Sequence, residues 1–350
     1  MSIFERNKTE VFSQTDVVAS SNRNGKINNK YIMKNSNDIT LSKSSIWSLL
    51  IYFILSFYHF GNSMMVYFFD YASFTAIHEN KTAVFQVFND RMFFVNIIPS
   101  ILMVISSVYL YFKNPKIISK RIIGIATLFG IISVATTLIF INPIHVSLIS
   151  NGLTSEIEKQ LLQTAFNFQI IPTIFQMILV FYMLNIYTNN AKIFGRWLFI
   201  FVFASLFYSK GTGSIESFVN YPFWSVIGNT DWLAYRNSGS ALRFFGTFLI
   251  PAFLPILLSI PLFWWRPKAF PRYFIAIYWL ANIWIFVITA IYFVPKIQLP
   301  LNEAYSTIAI DNLRTYDFPL RGTVVWFMEI LLGWMFIKIG NQRSRDSQLH

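Results

Sequence analysis

Apolar residues along the chain gather into eight long runs, separated by short polar, charged or proline-containing stretches. The runs fall at about 46–69, 92–112, 122–142, 166–187, 197–221, 243–265, 273–294 and 322–340. Each is long enough to cross roughly 30 Å of hydrocarbon as a helix. The pattern predicts an all-α polytopic membrane protein with eight transmembrane helices. Four parts follow from it. Residues 1–44 form a basic tail, rich in Asn, Ser and Lys and poor in periodic apolar positions, which reads as disordered. Residues 45–190 and 196–340 each hold four spans, and 341–350 form a short second tail.

The two four-span sets look alike. "RMFFVNIIPSI" at 91–101 and "RFFGTFLIPAF" at 243–253 lie 152 positions apart. The same offset pairs Pro99 with Pro251, Pro115-Lys116 with Pro267-Lys268, Pro143 with Pro295 and Phe166 with Phe318. A constant, ungapped offset through several prolines marks an internal duplication. Four spans are an even number, so both copies enter the membrane from the same side and form parallel repeats about an axis along its normal. Between spans three and four of each copy, 154–166 and 302–318 are polar enough for short surface helices.

Composition supports a membrane location: 55% of residues are hydrophobic and 19% aromatic, outside the range of ordinary soluble domains. A net charge of +12 could point to nucleic acid, but its distribution points elsewhere. With the N-terminus inside, segments 1–44, 113–121, 188–196, 266–272 and 338–350 hold 19 of the 28 Lys and Arg but only 5 of the 16 acids. This positive-inside bias predicts an inner (plasma) membrane protein with both termini cytoplasmic, membrane lipid as its neighbour and no nucleic-acid partner. The basic tail would be attracted to anionic lipid. "MSIFERNKTEVFSQ" lacks an apolar signal-peptide core, so the first span is expected to act as an uncleaved anchor. The Lys-, Asn- and Ile-rich composition is of a bacterial kind. With no cysteine, disulfides, thiol catalysis and Cys-ligated metals are excluded.

Candidate chemistry gathers in the second copy. At offset 152, the counterpart of "FASLFYSKGTGSIESFVNYPFW" (203–224) is 51–72, one continuous span with Gly61 opposite Gly213. The fifth helix is therefore expected to run through Lys210 and Glu216 and to end near Tyr221-Pro222. Tyr221 and Trp224 would then sit in an aromatic belt at the outer interface. In this register Lys210 replaces Tyr58, Glu216 replaces Met64, Arg321 replaces Gln169 and Glu329 replaces Met177. A charge near mid-bilayer costs about 3 kcal/mol on insertion scales, so charges confined to one copy imply a polar cavity there. The alternative is a set of structural ion pairs among Glu216, Glu329, Lys210 and Arg243. Arg243 and Arg321 open their spans, and snorkelling to the outer interface is the default for such residues. His59 lies within the first span and His145 at an outer helix end, and this difference in depth argues against a bis-histidine haem. No metal-ligand spacing, nucleophile elbow or phosphate loop is present, and no cofactor is expected.

"VNYPFW" (219–224), "RFFG" (243–246), "LPLNEAY" (299–305) and Arg321 at the start of the last span form an ordered set. It resembles the four-span membrane family that includes fungal-type anthrone oxygenases, here in tandem. Pro300, Leu301, Asn302 and Arg321 match the family's P-[IL]-N motif and span-opening Arg. Its Trp/Asn/His residues before that Arg are replaced by "YDFPL" at 316–320. The resemblance covers about 200–340, and 46–187 more weakly. It implies oxidation of a lipophilic aromatic or quinone-like molecule by O₂ without a metal or flavin. Glu216 or Glu329 would be the base, and Lys210 or Arg321 would hold the enolate oxygen. Candidate substrate contacts are Tyr221, Trp224, Arg243, Asn302 and His59. A transporter, for which parallel repeats and intramembrane charges also speak, and a non-catalytic scaffold are the competing functions.

Overall fold

The computed structural model describes residues 41–238 and 245–346. The basic tail up to residue 40 and Arg243 lie outside the described residues. Eight helices are long and apolar enough to span a membrane: α1 Lys43–Ala76, α2 Lys81–Lys113, α3 Lys120–Asn151, α4 Ser155–Tyr187, α5 Ile193–Ile227, α6 Phe245–Trp265, α7 Tyr273–Glu303 and α8 Thr307–Asp346. A short helix, Asn229–Arg236, follows α5. No strand forms among the described residues. Helices suit such sequences because lipid offers the backbone no hydrogen-bond partner and the helix satisfies its own groups.

Most of these helices run well past the apolar runs. The polar segments expected as separate surface helices are helical, at Ser155–Ala165 and Thr307–Asp317. They are the first turns of α4 and α8, not separate elements. Thr154 and Ser306 cap them, each side-chain oxygen accepting a backbone N–H at 3.2 Å, from Ile157 and Ala309; these bonds satisfy donors that a helix start leaves free.

Each long helix contains a widened π-turn. The turns lie at Val66–Asp70, Phe93–Ile97, Thr137–Ile141, Phe166–Ile170, Glu216–Asn220, Phe245–Leu249, Thr289–Gln298 and Phe318–Gly322. In six of the eight, a proline stands two residues beyond the turn: Pro99, Pro143, Pro172, Pro222, Pro251 and Pro300. Proline has no N–H and presses on the carbonyl four residues back. Widening the preceding turn relieves both effects without ending the helix. This corrects the expected end of α5. It passes Tyr221-Pro222 and stops at Gly228, whose φ of +83° requires glycine.

α1 and α5 cross in direct contact. A methyl group on Gly61 would overlap the Tyr208 carbonyl oxygen, and one on Gly211 would overlap that of Tyr58. α1–α4 close one ring of neighbours and α5–α8 close a second. Two apolar cores result. One holds Leu49, Phe53, Phe203 and Phe336, with Tyr187 stacked on Phe336 at 4.1 Å between centroids. The other lies past the π-turns and holds Phe74, Phe88, Trp224, Trp232 and Leu313. The rings differ in packing. The apolar stretches of α6 and α7 are 17% and 28% buried, against 39% and 44% for α2 and α3, so the second ring is the looser one.

Candidate functional site

The loose ring holds a partly open cavity of about 520 Å³. Leu206, Phe253, Ile256, Phe286, Val325 and Met328 make its apolar wall, and Lys210, Glu216, Tyr221, Asn282, Asp317 and Arg321 bring polar groups to it. Four of the residues singled out from sequence, Lys210, Glu216, Tyr221 and Arg321, thus share one space.

The continuity of α5 brings Lys210 and Glu216 to the cavity on one helix. Lys210 Nζ lies 3.6 Å from Glu329 Oε1 and 5.0 Å from the centre of the Trp326 ring. Glu329 therefore has a basic partner, supplied across the ring by α5 and not by its own helix. Glu216 is buried, and its Oε2 accepts from the Asn220 amide at 3.0 Å, one turn on. Arg321 does not snorkel outward. Its Nε donates to Asp317 Oδ1 at 2.7 Å and its guanidinium sits 3.8 Å from the centre of the Phe293 ring. Ser217 donates to the other Asp317 oxygen at 2.7 Å. The polar wall holds two cations, each already paired with a carboxylate, plus Glu216. Such a wall suits a neutral ligand with hydrogen-bonding oxygens better than a free anion.

Trp224, Asn302 and His59 lie elsewhere, and the expected aromatic belt does not form. Trp224 and Tyr221 are buried at 1% and 5% exposure, so neither forms an interfacial belt. Trp224 belongs to the core beyond the π-turns, where its Nε1 donates to the Tyr235 hydroxyl at 3.1 Å and Arg236 covers its face at 5.3 Å. Burial, followed by the nearby Asp70 carboxylate, pushes the Tyr235 hydroxyl well above the ordinary tyrosine range. Asn302 is exposed and accepts from Arg236 at 2.6 Å. His59 lies in the other ring, its two nitrogens bonded to Ser100 at 2.7 Å and Ser133 at 3.1 Å. Those bonds engage both ring nitrogens.

Asp317, Asn282 and Ser217 were not among the sequence candidates. Asp317 had a signal: it stands four residues before Arg321, the spacing of a helical ion pair. That signal is read only if 302–318 is continuous with the last span. Among the described residues no group of three His, Asp or Glu could hold a metal ion. Comparison with protein-family models, curated proteins and solved structures finds no match for this chain.

Proposed function

We propose that this is an inner-membrane protein, both termini cytoplasmic, built of two parallel four-helix repeats, whose second repeat binds a neutral lipophilic aromatic or quinone-like molecule. The cavity carries the proposal. Its volume lies within the range of small-molecule sites, roughly 300–1,000 Å³, and it joins a broad apolar wall to a few convergent polar groups. A second groove, lined by Trp279, Ile283 and Val287 among others, shares Ile256, Asn282 and Phe286 with it. That continuity between α6 and α7 gives a lipid-dissolved molecule a lateral way in. The charge asymmetry of the connecting segments supports the orientation.

The positions of the π-turns support the duplication. Those of α6, α7 and α8 begin 152 residues after those of α2, α3 and α4, and that of α5 begins 150 after that of α1. The glycines at the α1/α5 crossing, Gly61 and Gly211, are likewise 150 apart. The first span of each copy is thus related by 150 and not 152, with the two extra residues in the connection after α5. In this register Lys210 corresponds to Phe60 and Glu216 to Val66, and charges still replace apolar residues.

The family resemblance extends the proposal to chemistry. Glu216, inside the cavity, removes a proton from a CH₂ group flanked by aromatic rings, and the electron pair delocalises onto the substrate carbonyl as an enolate. O₂ then adds at that carbon. One oxygen atom stays as the new C=O and the other leaves with both hydrogens as water. Lys210 and Arg321 stand near the enolate oxygen. An anthrone supplied to the reconstituted protein is expected to consume one O₂ per molecule oxidised. Glu216→Gln is expected to slow this at least ~100-fold, the usual contribution of a positioned base. An undiminished rate in that variant would remove Glu216 from the mechanism.

A further inference from the structure

The first ring contains buried polar groups that the cavity does not use. Tyr52, Ser56, His59, Ser63 and Asp70 are all at most 2% exposed. Their spacings of four, three and four place Tyr52, Ser56, His59 and Ser63 on one face of α1, because a residue turns about 100° on a helix, and Asp70 closes the π-turn that follows. From Tyr52 to Asp70 the helix climbs about 27 Å at 1.5 Å per residue, close to the thickness of the hydrocarbon layer. The Tyr52 hydroxyl, which faces Ser56 and Gln176 of α4, and the Asp70 carboxylate, which faces Asn220, make no bond of full hydrogen-bond geometry, and neither do Ser56 Oγ, Ser63 Oγ and Gln176 Oε1. Buried polar atoms are almost always satisfied, and where protein does not do it, bound water does.

His59 sits midway along this face. Ser100 Oγ donates to the Asn96 carbonyl at 2.6 Å, so at Nδ1 it accepts the imidazole proton, while Ser133, at Nε2, also bonds Thr173, whose own proton goes to the Gln169 carbonyl at 2.7 Å. An imidazole held between two hydroxyls can take a proton on one nitrogen while releasing one from the other. At the far end, Asp70 lies within electrostatic reach of Glu216 and of the Tyr235 hydroxyl. Tyr71, next in sequence, bonds instead to His145 Nε2 at 3.0 Å.

We infer that the first ring is a proton path: a file of hydroxyls and bound water along α1, with His59 at its midpoint and Asp70 at the end nearest Glu216. The step moves protons only and needs no oxidant or ligand, so it is measured apart from any reaction in the cavity. The full-length protein is reconstituted into vesicles enclosing a pH-sensitive dye, and a valinomycin–K⁺ potential drives proton entry. Wild type is expected to acidify the lumen several-fold faster than protein-free vesicles. His59→Gln, which keeps a hydrogen-bonding side chain but cannot carry an excess proton, and Asp70→Asn are each expected to fall within twofold of protein-free vesicles. Thr323→Ala, a hydroxyl on α8, is expected to keep the wild-type rate. Matching melting temperatures separate loss of the path from loss of fold. Wild-type flux no faster than protein-free vesicles, or full flux in both His59→Gln and Asp70→Asn at intact fold, would overturn the inference and leave a static polar network.

Discussion

At the scale of residues, the informative groups are charges paired across helices. Lys210 and Glu329 are each 17% exposed and 3.6 Å apart. Removing one partner leaves the other charge in a poorly hydrated site, which costs about 3 kcal/mol, whereas replacing both with apolar groups of similar size is close to neutral. Lys210→Met is therefore expected to destabilise the reconstituted protein by about 3 kcal/mol, and Lys210→Met/Glu329→Met to recover most of that loss, as read by denaturation in detergent. Additive losses would mean that the pair does not interact. Lys210, Glu216, Tyr221 and Arg321 were legible in the sequence because charged or polar residues inside apolar runs are conspicuous. Asp317 was not, because it lay in a stretch read as outside the span. His59 and Trp224 stood out by residue type alone. Type does not say which ring a residue faces, and both lie away from the cavity.

At the scale of elements, the number of helices and their order were legible from apolar run length, but their ends were not. A proline biases the preceding residue away from helix, and at Tyr221-Pro222 that rule suggested a terminus. The same proline is accommodated by a widened turn, so local sequence alone cannot distinguish an end from a bulge. For the proposed duplication, local sequence likewise offers two registers of α1 against α5: a single Gly–Gly match at offset 152 and a longer similarity at 150. The two registers predict different mutational costs. Gly61→Ala and Gly211→Ala each press a methyl on the opposite backbone, and overpacking of this kind costs about 1–3 kcal/mol. Gly213 has nothing within 4 Å of a Cβ, so Gly213→Ala is expected to change stability by no more than about 0.5 kcal/mol. Equal losses at Gly211 and Gly213 would contradict the crossing geometry.

At the scale of the whole molecule, the two four-helix rings differ in packing. In the first, polar side chains reach one another, as in the chain His59–Ser133–Thr173 with bonds of 3.1 and 2.8 Å. In the second, ion pairs line a cavity that the sparsely buried α6 and α7 leave open. This difference fits the proposal that one ring serves proton movement and the other ligand chemistry. The central claim is that the second ring binds a lipophilic molecule, and photo-crosslinking tests it most directly. The full-length protein in lipid nanodiscs is illuminated with an azido-quinone, and the adducts are located by mass spectrometry. Adducts are expected on buried cavity residues such as Leu206, Tyr278 and Met328. They should be suppressed by excess unlabelled quinone and lost in Ala252→Phe, which fills the space. Adducts spread over the lipid-facing residues of both rings, or unaffected by competitor and by Ala252→Phe, would contradict the claim.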